Sequence, residues 1–138
     1  MKKTTIQDIK IINLPRVEDR RGNLSIIEGD TIPYDIKRVY YLHDVPGSAE
    51  RGGHAHKEQQ EMLIAVSGSF DVIVNDGAGT HTYTLNHASR GLLIVEGIWR
   101  ELKNFSSGAV CLVIASDMYN EEDYIRSFTA FKKYKKGL

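Results

Sequence analysis

The chain has almost no cysteine and no excess of charge of either sign. It also lacks long apolar runs. Its single cysteine, Cys111, excludes an internal disulfide and suits a reducing compartment. Lys plus Arg and Asp plus Glu both number 18, so the formal net charge is zero. That balance argues against a nucleic-acid partner or a membrane-surface role, which usually need a basic excess. A small anionic ligand needs only a local cluster of cations and stays open. No run approaches the length of a membrane-spanning helix. The opening stretch MKKTTIQDIK has no apolar signal core after its lysines, so a cytoplasmic location is expected. Pro- or Gly-rich linkers and internal repeats are absent too. With 138 residues there is room for one domain, and 1–138 is read as a single unit. Hydrophobic residues at 41% and charged ones at 26% are globular values, which excludes a disordered chain.

What is present is β-structure. LSIIE (24–28), IKRVYYLH (36–43), EMLIAVSG (61–68), SFDVIVND (69–76), THTYTLN (80–86), GLLIVE (91–96) and AVCLVIAS (109–116) are short runs rich in Val, Ile and Tyr, bounded by turn residues. NDGAG (75–79) is a hairpin signal, because Asn, Asp and Gly tolerate the positive φ of tight turns. No helical run separates these strands, so the expected class is all-β with antiparallel sheets, a sandwich or a barrel. Only residues 121–134 (EEDYIRSFTAFKKY) read as helical, with acids early, lysines late and Ile125, Phe128 and Phe131 on one face. Glu121, Glu122 and Asp123 are therefore expected in a helical tail, away from any cationic cluster, and the basic KKYKK end reads as solvated.

The chemistry concentrates in RGGHAHK (51–57). Two glycines precede the pair His54 and His56, which share a face if the segment is extended, and Arg51 and Lys57 flank it. In IKRVYYLH, Arg38 and Tyr40 likewise point the same way. A His-x-His pair on a strand serves metal binding or acid–base work, and the pair alone does not choose between them. HAHKEQQEMLIAVSG resembles the first motif of the cupin barrel, H-x-H-x4-E-x6-G, with Glu61 in the carboxylate place. The second cupin motif falls on GLLIVEGIWREL (91–102) and presents Arg100 where the remaining histidine belongs. A guanidinium stays protonated and cannot ligate, so the standard metal set is incomplete and neither metal nor cofactor is expected.

Longer strings carry a more specific resemblance. DRRGNLSIIE (19–28), IPYDIKRVYYLHDVPG (32–47), RGGHAHK (51–57), LIAVSGSFDVIVNDG (63–77), residues 98–126 from IWRELKNFSS to DMYNEEDYIR, and FKKY (131–134) are similar to the nucleotide-sugar 3,4-ketoisomerases. These are metal-free cupins related to the dTDP-sugar 3,5-epimerases. The resemblance implies a cupin (jelly-roll) barrel with a short C-terminal helical segment. It implies conversion of dTDP-4-keto-6-deoxyglucose to a 3-keto isomer through an enediol, supplying precursors of 3-amino-3,6-dideoxyhexoses. It also implies a cytoplasmic homodimer that exchanges N-terminal strands. On this reading His56 is the C3 base, His54 moves the proton towards C4, and Tyr40 donates to the sugar oxygens. Arg38 and Arg51 hold the diphosphate, with Lys57 and Arg21 behind them, and Arg100 is counted among the binding residues. Trp99 either walls the sugar pocket or belongs to the core. Relatives carry Glu-Gln where this chain has Gln60-Glu61, which leaves open which of the two faces the barrel interior. The competing classes are a metal-dependent cupin, a 3,5-epimerase and a non-catalytic sugar-nucleotide-binding module.

Overall fold

The structure is a computed structural model that describes residues 3–137. Its strands are β1 (Lys10–Asn13), β2 (Arg16–Val17), β3 (Leu24–Ser25), β4 (Arg38–Leu42), β5 (Arg51–His56), β6 (Glu61–Ser67), β7 (Phe70–Asn75), β8 (Thr80–Leu85), β9 (Arg90–Ile94), β10 (Trp99–Lys103), β11 (Val110–Ala115) and β12 (Tyr124–Ile125). One helix, α1 (Phe128–Lys135), closes the order. Two five-stranded antiparallel sheets form, β1-β9-β6-β11-β4 and β12-β5-β10-β7-β8, with β2-β3 as a separate small ribbon. Neighbours within each sheet are mostly distant in sequence, as in the jelly-roll that the family resemblance implies and within the antiparallel all-β class expected from the strand-rich pattern.

Period-2 patterning places the core between the sheets. Phe70, Val72 and Val74 of β7 are buried, and Leu63, Leu92, Cys111 and Val113 meet them from the other sheet. β6 reads as a continuous apolar run because both its faces are covered. Met62 and Ile64 point outward and are packed under Leu14 and Ile32 from the segment between β1 and β4. The hydroxyl of Tyr34 in that segment donates to the carbonyl of Ile114, fastening the cover to β11.

The helical tail departs from the expectation. Residues 121–123 form a single 3-10 turn, and Tyr124 and Ile125 then pair with His56 and Ala55 of β5. The helix starts only after Ser127, whose side chain accepts from the Ala130 N–H. It lays Phe131 against Ala55, Trp99 and Ile125 on the outer face of the second sheet. Lys135 at its end donates to the carbonyls of Thr4 at 2.8 Å and Gly97 at 2.9 Å, tying α1 to the N-terminal segment. No helix among the described residues is long and apolar enough to cross a membrane.

One glycine turn sets the link between β6 and β7. Gly68 has φ +66, and a Cβ there would lie 2.5 Å from Ser106 Oγ and 2.8 Å from Ala109 Cα. Ser106 Oγ is itself bonded to the Ser69 N–H at 2.8 Å, so it has no room to yield. Gly68→Ala is expected to lower stability by about 1–3 kcal/mol, measured as a shift of the urea midpoint with unchanged slope.

Candidate active site

The site begins with an irregularity in β5. Arg100 of β10 pairs with His54 and Leu102 with Arg51, so β5 carries one residue more than its partner across this stretch. The extra residue is a bulge at Gly52–Gly53, where Gly52 has φ +73 and a Cβ would lie 2.9 Å from Leu102 Cδ1. The two glycines therefore do backbone work: they bend the strand and re-aim the histidines that follow.

The first of those histidines borders a cleft of about 410 Å³, lined by Arg38, Tyr40, Arg51, His54, Tyr124 and Arg126 among others. The cleft runs along the edges of the two sheets, between β4 on one side and β5 with β12 on the other. Inward-facing Arg38, Tyr40 and Leu42 come from β4, while Val39 and Tyr41 alternate outward and are exposed. The His54 and His56 rings stand edge to face at 4.8 Å, and Tyr124 lies 5.0 Å from the first and 4.4 Å from the second.

Only His54 lines the cleft; His56 is fully buried behind it. Two buried nitrogens of cleft residues, His54 Nε2 and Arg38 Nε, have no hydrogen-bond partner. Burial, and then the charge of Arg100, push His54 down to about 3, so its ring is neutral at physiological pH.

Beneath the histidines is a buried polar network centred on Glu61. One carboxylate oxygen pairs with Arg100 Nη1. The other accepts from the Tyr40 hydroxyl at 2.8 Å and the Gln59 amide at 2.8 Å, and stands 3.5 Å from His56 Nε2. Burial alone would raise the Glu61 carboxyl, but its surroundings, the Arg100 charge first among them, outweigh it and hold the group well below the usual carboxylate range. Burial and the Glu61 charge push Tyr40 up, which keeps it a neutral donor. On its other side His56 Nδ1 meets Asp123 Oδ2 at 3.1 Å.

The structure thus sorts the residues singled out from the sequence. His54, Tyr40, Arg38 and Arg51 come together in the cleft, with His56 directly behind. Of the two adjacent candidates, Glu61 is the one that turns inward, 2% exposed. Four residues counted as substrate-binding are placed elsewhere. Arg100 is 1% exposed and committed to Glu61 and the Ile98 carbonyl. Trp99 packs against α1, 5.4 Å from Phe128 and 5.9 Å from Phe131, in the buried cluster with Ala55 and Ile125. Lys57 borders a separate groove beside α1 rather than the cleft. Arg21 is exposed and holds Asp19 by two hydrogen bonds at 3.0 Å in the β2–β3 ribbon. Tyr40 directs its one O–H to Glu61, so it offers the cleft its ring and an oxygen lone pair instead of a donor.

Residues 121–126, read from the sequence as helix, join the site instead. Tyr124 and Arg126 line the cleft, Asp123 holds His56, and Glu121 grips Arg126 at 2.7 and 2.8 Å. The missed signal was the alternation in D-Y-I-R, where Ile125 is buried while its two neighbours face the cleft.

One ring nitrogen each of His54 and His56 and an oxygen of Glu61 lie within 4.8 Å of one another, a spacing a metal ion could span. The donor set does not fit one well. A divalent ion would sit against the Arg100 guanidinium and compete with it for Glu61.

The chain matches the family described as FdtA: WxcM-like, C-terminal over residues 7–136. It is 44% identical over 126 residues to the TDP-4-oxo-6-deoxy-alpha-D-glucose-3,4-oxoisomerase of Aneurinibacillus thermoaerophilus, covering 91% of each chain. Among solved structures it resembles a 3,4-ketoisomerase from Helicobacter canadensis, with TM-score 0.91 and 43% identity over 94% of this chain and 98% of that one. It also resembles a mutant of the 3,4-ketoisomerase QdtA from Thermoanaerobacterium thermosaccharolyticum in complex with TDP-4-keto-6-deoxyglucose, with TM-score 0.93 and 36% identity over 96% of both chains.

The depressed His54 also makes stability depend on pH. The unfolded chain takes up a proton at His54 near pH 6.5, whereas the folded one refuses it until about pH 3. The unfolded state therefore binds more protons in this window, and stability falls as pH drops through it. Between pH 7 and pH 5 the wild type is expected to lose about 1–2 kcal/mol more than His54→Gln, read from parallel urea titrations.

Proposed function

The chain belongs to the FdtA family of WxcM-like, C-terminal domains and is a sugar-nucleotide 3,4-ketoisomerase, and we propose that it acts on dTDP-4-keto-6-deoxyglucose through His54 and His56. The observation that carries the reading is a neutral, unpartnered His54 facing a cleft walled by Arg38, Arg51 and Arg126. A diphosphate suits those guanidinium forks, and Arg126 is already oriented by Glu121 and stacked 4.1 Å from the Tyr124 ring.

The C3 hydrogen of the substrate is acidic because the C4 carbonyl can delocalise the resulting charge. In the order the geometry favours, His54 takes the C3 proton, since it is the histidine that lines the cleft. The C3–H electron pair forms the C3=C4 bond of an enediol, and the C4 oxygen takes a proton. Loss of the O3 proton then forms the C3 carbonyl, and C4 gains the hydrogen. This reverses the order expected from the sequence, because His56 is buried and lies behind His54. A histidine with so low a proton affinity is a weak base in the empty cleft. The two negative charges of a bound diphosphate raise that affinity just when the proton must be taken.

A cytoplasmic homodimer with exchanged N-terminal strands is part of the same proposal, as is the single-unit reading of residues 1–138. Support for association comes from the exposed apolar side chains of Ile11, Val39, Tyr41 and Val66. Incubating the protein with dTDP-4-keto-6-deoxyglucose in D2O should yield a 3-keto sugar with deuterium at C4, followed by NMR. No 3-keto product and no exchange at C3 would overturn the assignment. His54→Asn should lower kcat by about 10²–10⁴-fold, the usual contribution of a positioned proton-transfer group. EDTA should leave turnover unchanged, and a loss restored by a divalent ion would favour metal chemistry instead.

A further inference from the structure

Asp123 makes a set of contacts that only an ionised carboxylate in one orientation can satisfy. Its Oδ1 accepts the Glu58 N–H at 2.7 Å, and its Oδ2 accepts the Gln59 N–H at 3.2 Å and meets His56 Nδ1 at 3.1 Å. Its backbone carbonyl takes the Lys57 N–H at 2.9 Å. A carboxylate is acceptor-only, so the ring nitrogen facing it must carry the hydrogen. The opposite side of the ring agrees. The Gln59 side chain directs its oxygen to Arg38 Nη2 at 3.5 Å, which turns its amide hydrogens towards Glu61 Oε2 at 2.8 Å and His56 Nε2 at 3.4 Å. With Nδ1 carrying the hydrogen of a neutral ring, Nε2 is bare and accepts from this amide, the nearer of the two groups facing it, Glu61 Oε2 standing at 3.5 Å.

Resting on the ketoisomerase reading, we propose that Asp123 is a positioning residue: it fixes His56 with Nδ1 protonated and Nε2 bare, ready to accept a proton relayed from His54. The accepting nitrogen then lies on the side of His54 and Glu61, whose nearest ligand atoms form one group within 4.8 Å. An imidazolium formed there stands between two carboxylates, Asp123 at 3.1 Å and Glu61 at 3.5 Å. Two backbone N–H groups of the 57–59 turn hold the carboxylate still and a third holds the Asp123 carbonyl, so the orientation of His56 is set by the docking of residues 121–125 on β5.

The test compares wild type, Asp123→Asn and Asp123→Glu. Long-range ¹H–¹⁵N spectra of ¹⁵N-histidine-labelled protein report which nitrogen of His56 is protonated, independently of turnover. Wild type should show the Nδ1–H form. Asp123→Asn replaces one acceptor by a donor and should shift His56 to the Nε2–H form, lowering kcat by about 10²-fold with KM changed less than about threefold. Asp123→Glu, which keeps the charge, should restore the Nδ1–H form and part of kcat. An Nε2–H form in wild type overturns the proposal. So does an Asp123→Asn protein that keeps the wild-type tautomer, whatever its rate. If Asp123→Asn does not fold, the wild-type and Asp123→Glu spectra still decide. A wild type with no isomerase activity but the Nδ1–H form would sink the ketoisomerase reading while leaving the Asp123–His56 contact intact.

Discussion

The ion pair between Glu61 and Arg100 is the constraint on which the rest of the site depends. Both side chains are almost wholly buried, at 3% and 1% exposure, and they come from different sheets, β6 and β10. Two charges so placed are stable only while each has the other, and removing one partner of such a pair costs about 3–5 kcal/mol. The pair therefore cross-links the sandwich at the floor of the cleft and fixes everything bonded to it. Tyr40 reaches the floor from β4, and Gln59 from the turn before β6. The same guanidinium that holds Glu61 ionised disfavours a second cation above it, and so contributes to keeping His54 unprotonated. An arginine in this place supplies a fixed positive charge without an open coordination position.

Much of this was legible in the sequence, for definite physical reasons. The strands that could be read are those whose side chains alternate or form long apolar runs, such as β6 and β7. The shorter or more polar strands β1, β2, β5, β10 and β12 carry little of either signal, and their pairing is decided by tertiary contacts. The histidine pair and its flanking arginine stood out because residue types and spacing alone mark them. The division of labour within the pair did not, because it depends on which ring the bulge at Gly52–Gly53 presents to the cleft. Trp99 and Arg100 were ambiguous for the same reason: adjacent residues on a strand face opposite ways, and the pattern shows the alternation but not its phase.

The acidic run at 121–123 is the instructive case. Acids before a stretch of aromatics and lysines match the charge pattern of a helix, and a helix does follow, but it starts at Phe128. The run itself is distributed among three tasks. Glu121 orients Arg126, Asp123 holds His56, and the Asn120 side chain caps the turn through the Glu122 N–H. Zero net charge therefore does not mean cations gathered at the site with the acids sent elsewhere. The acids are interleaved with the cations: Glu121 sets the position of Arg126 and Asp123 that of His56.

A consequence follows from how slender the support of that acidic segment is. The contact between His56 and Asp123 joins residues 67 apart in sequence, and it rides on β12, an edge strand of two residues. Such a strand can detach while the two sheets stay closed, because none of the central pairings involves it. The segment carrying Asp123 and Tyr124 is then the part of the site expected to open first. Long-range closure of this kind is slow relative to local structure. The barrel therefore provides the scaffold for catalysis before the machinery on it is complete, and amide exchange along β5 would register the two events apart.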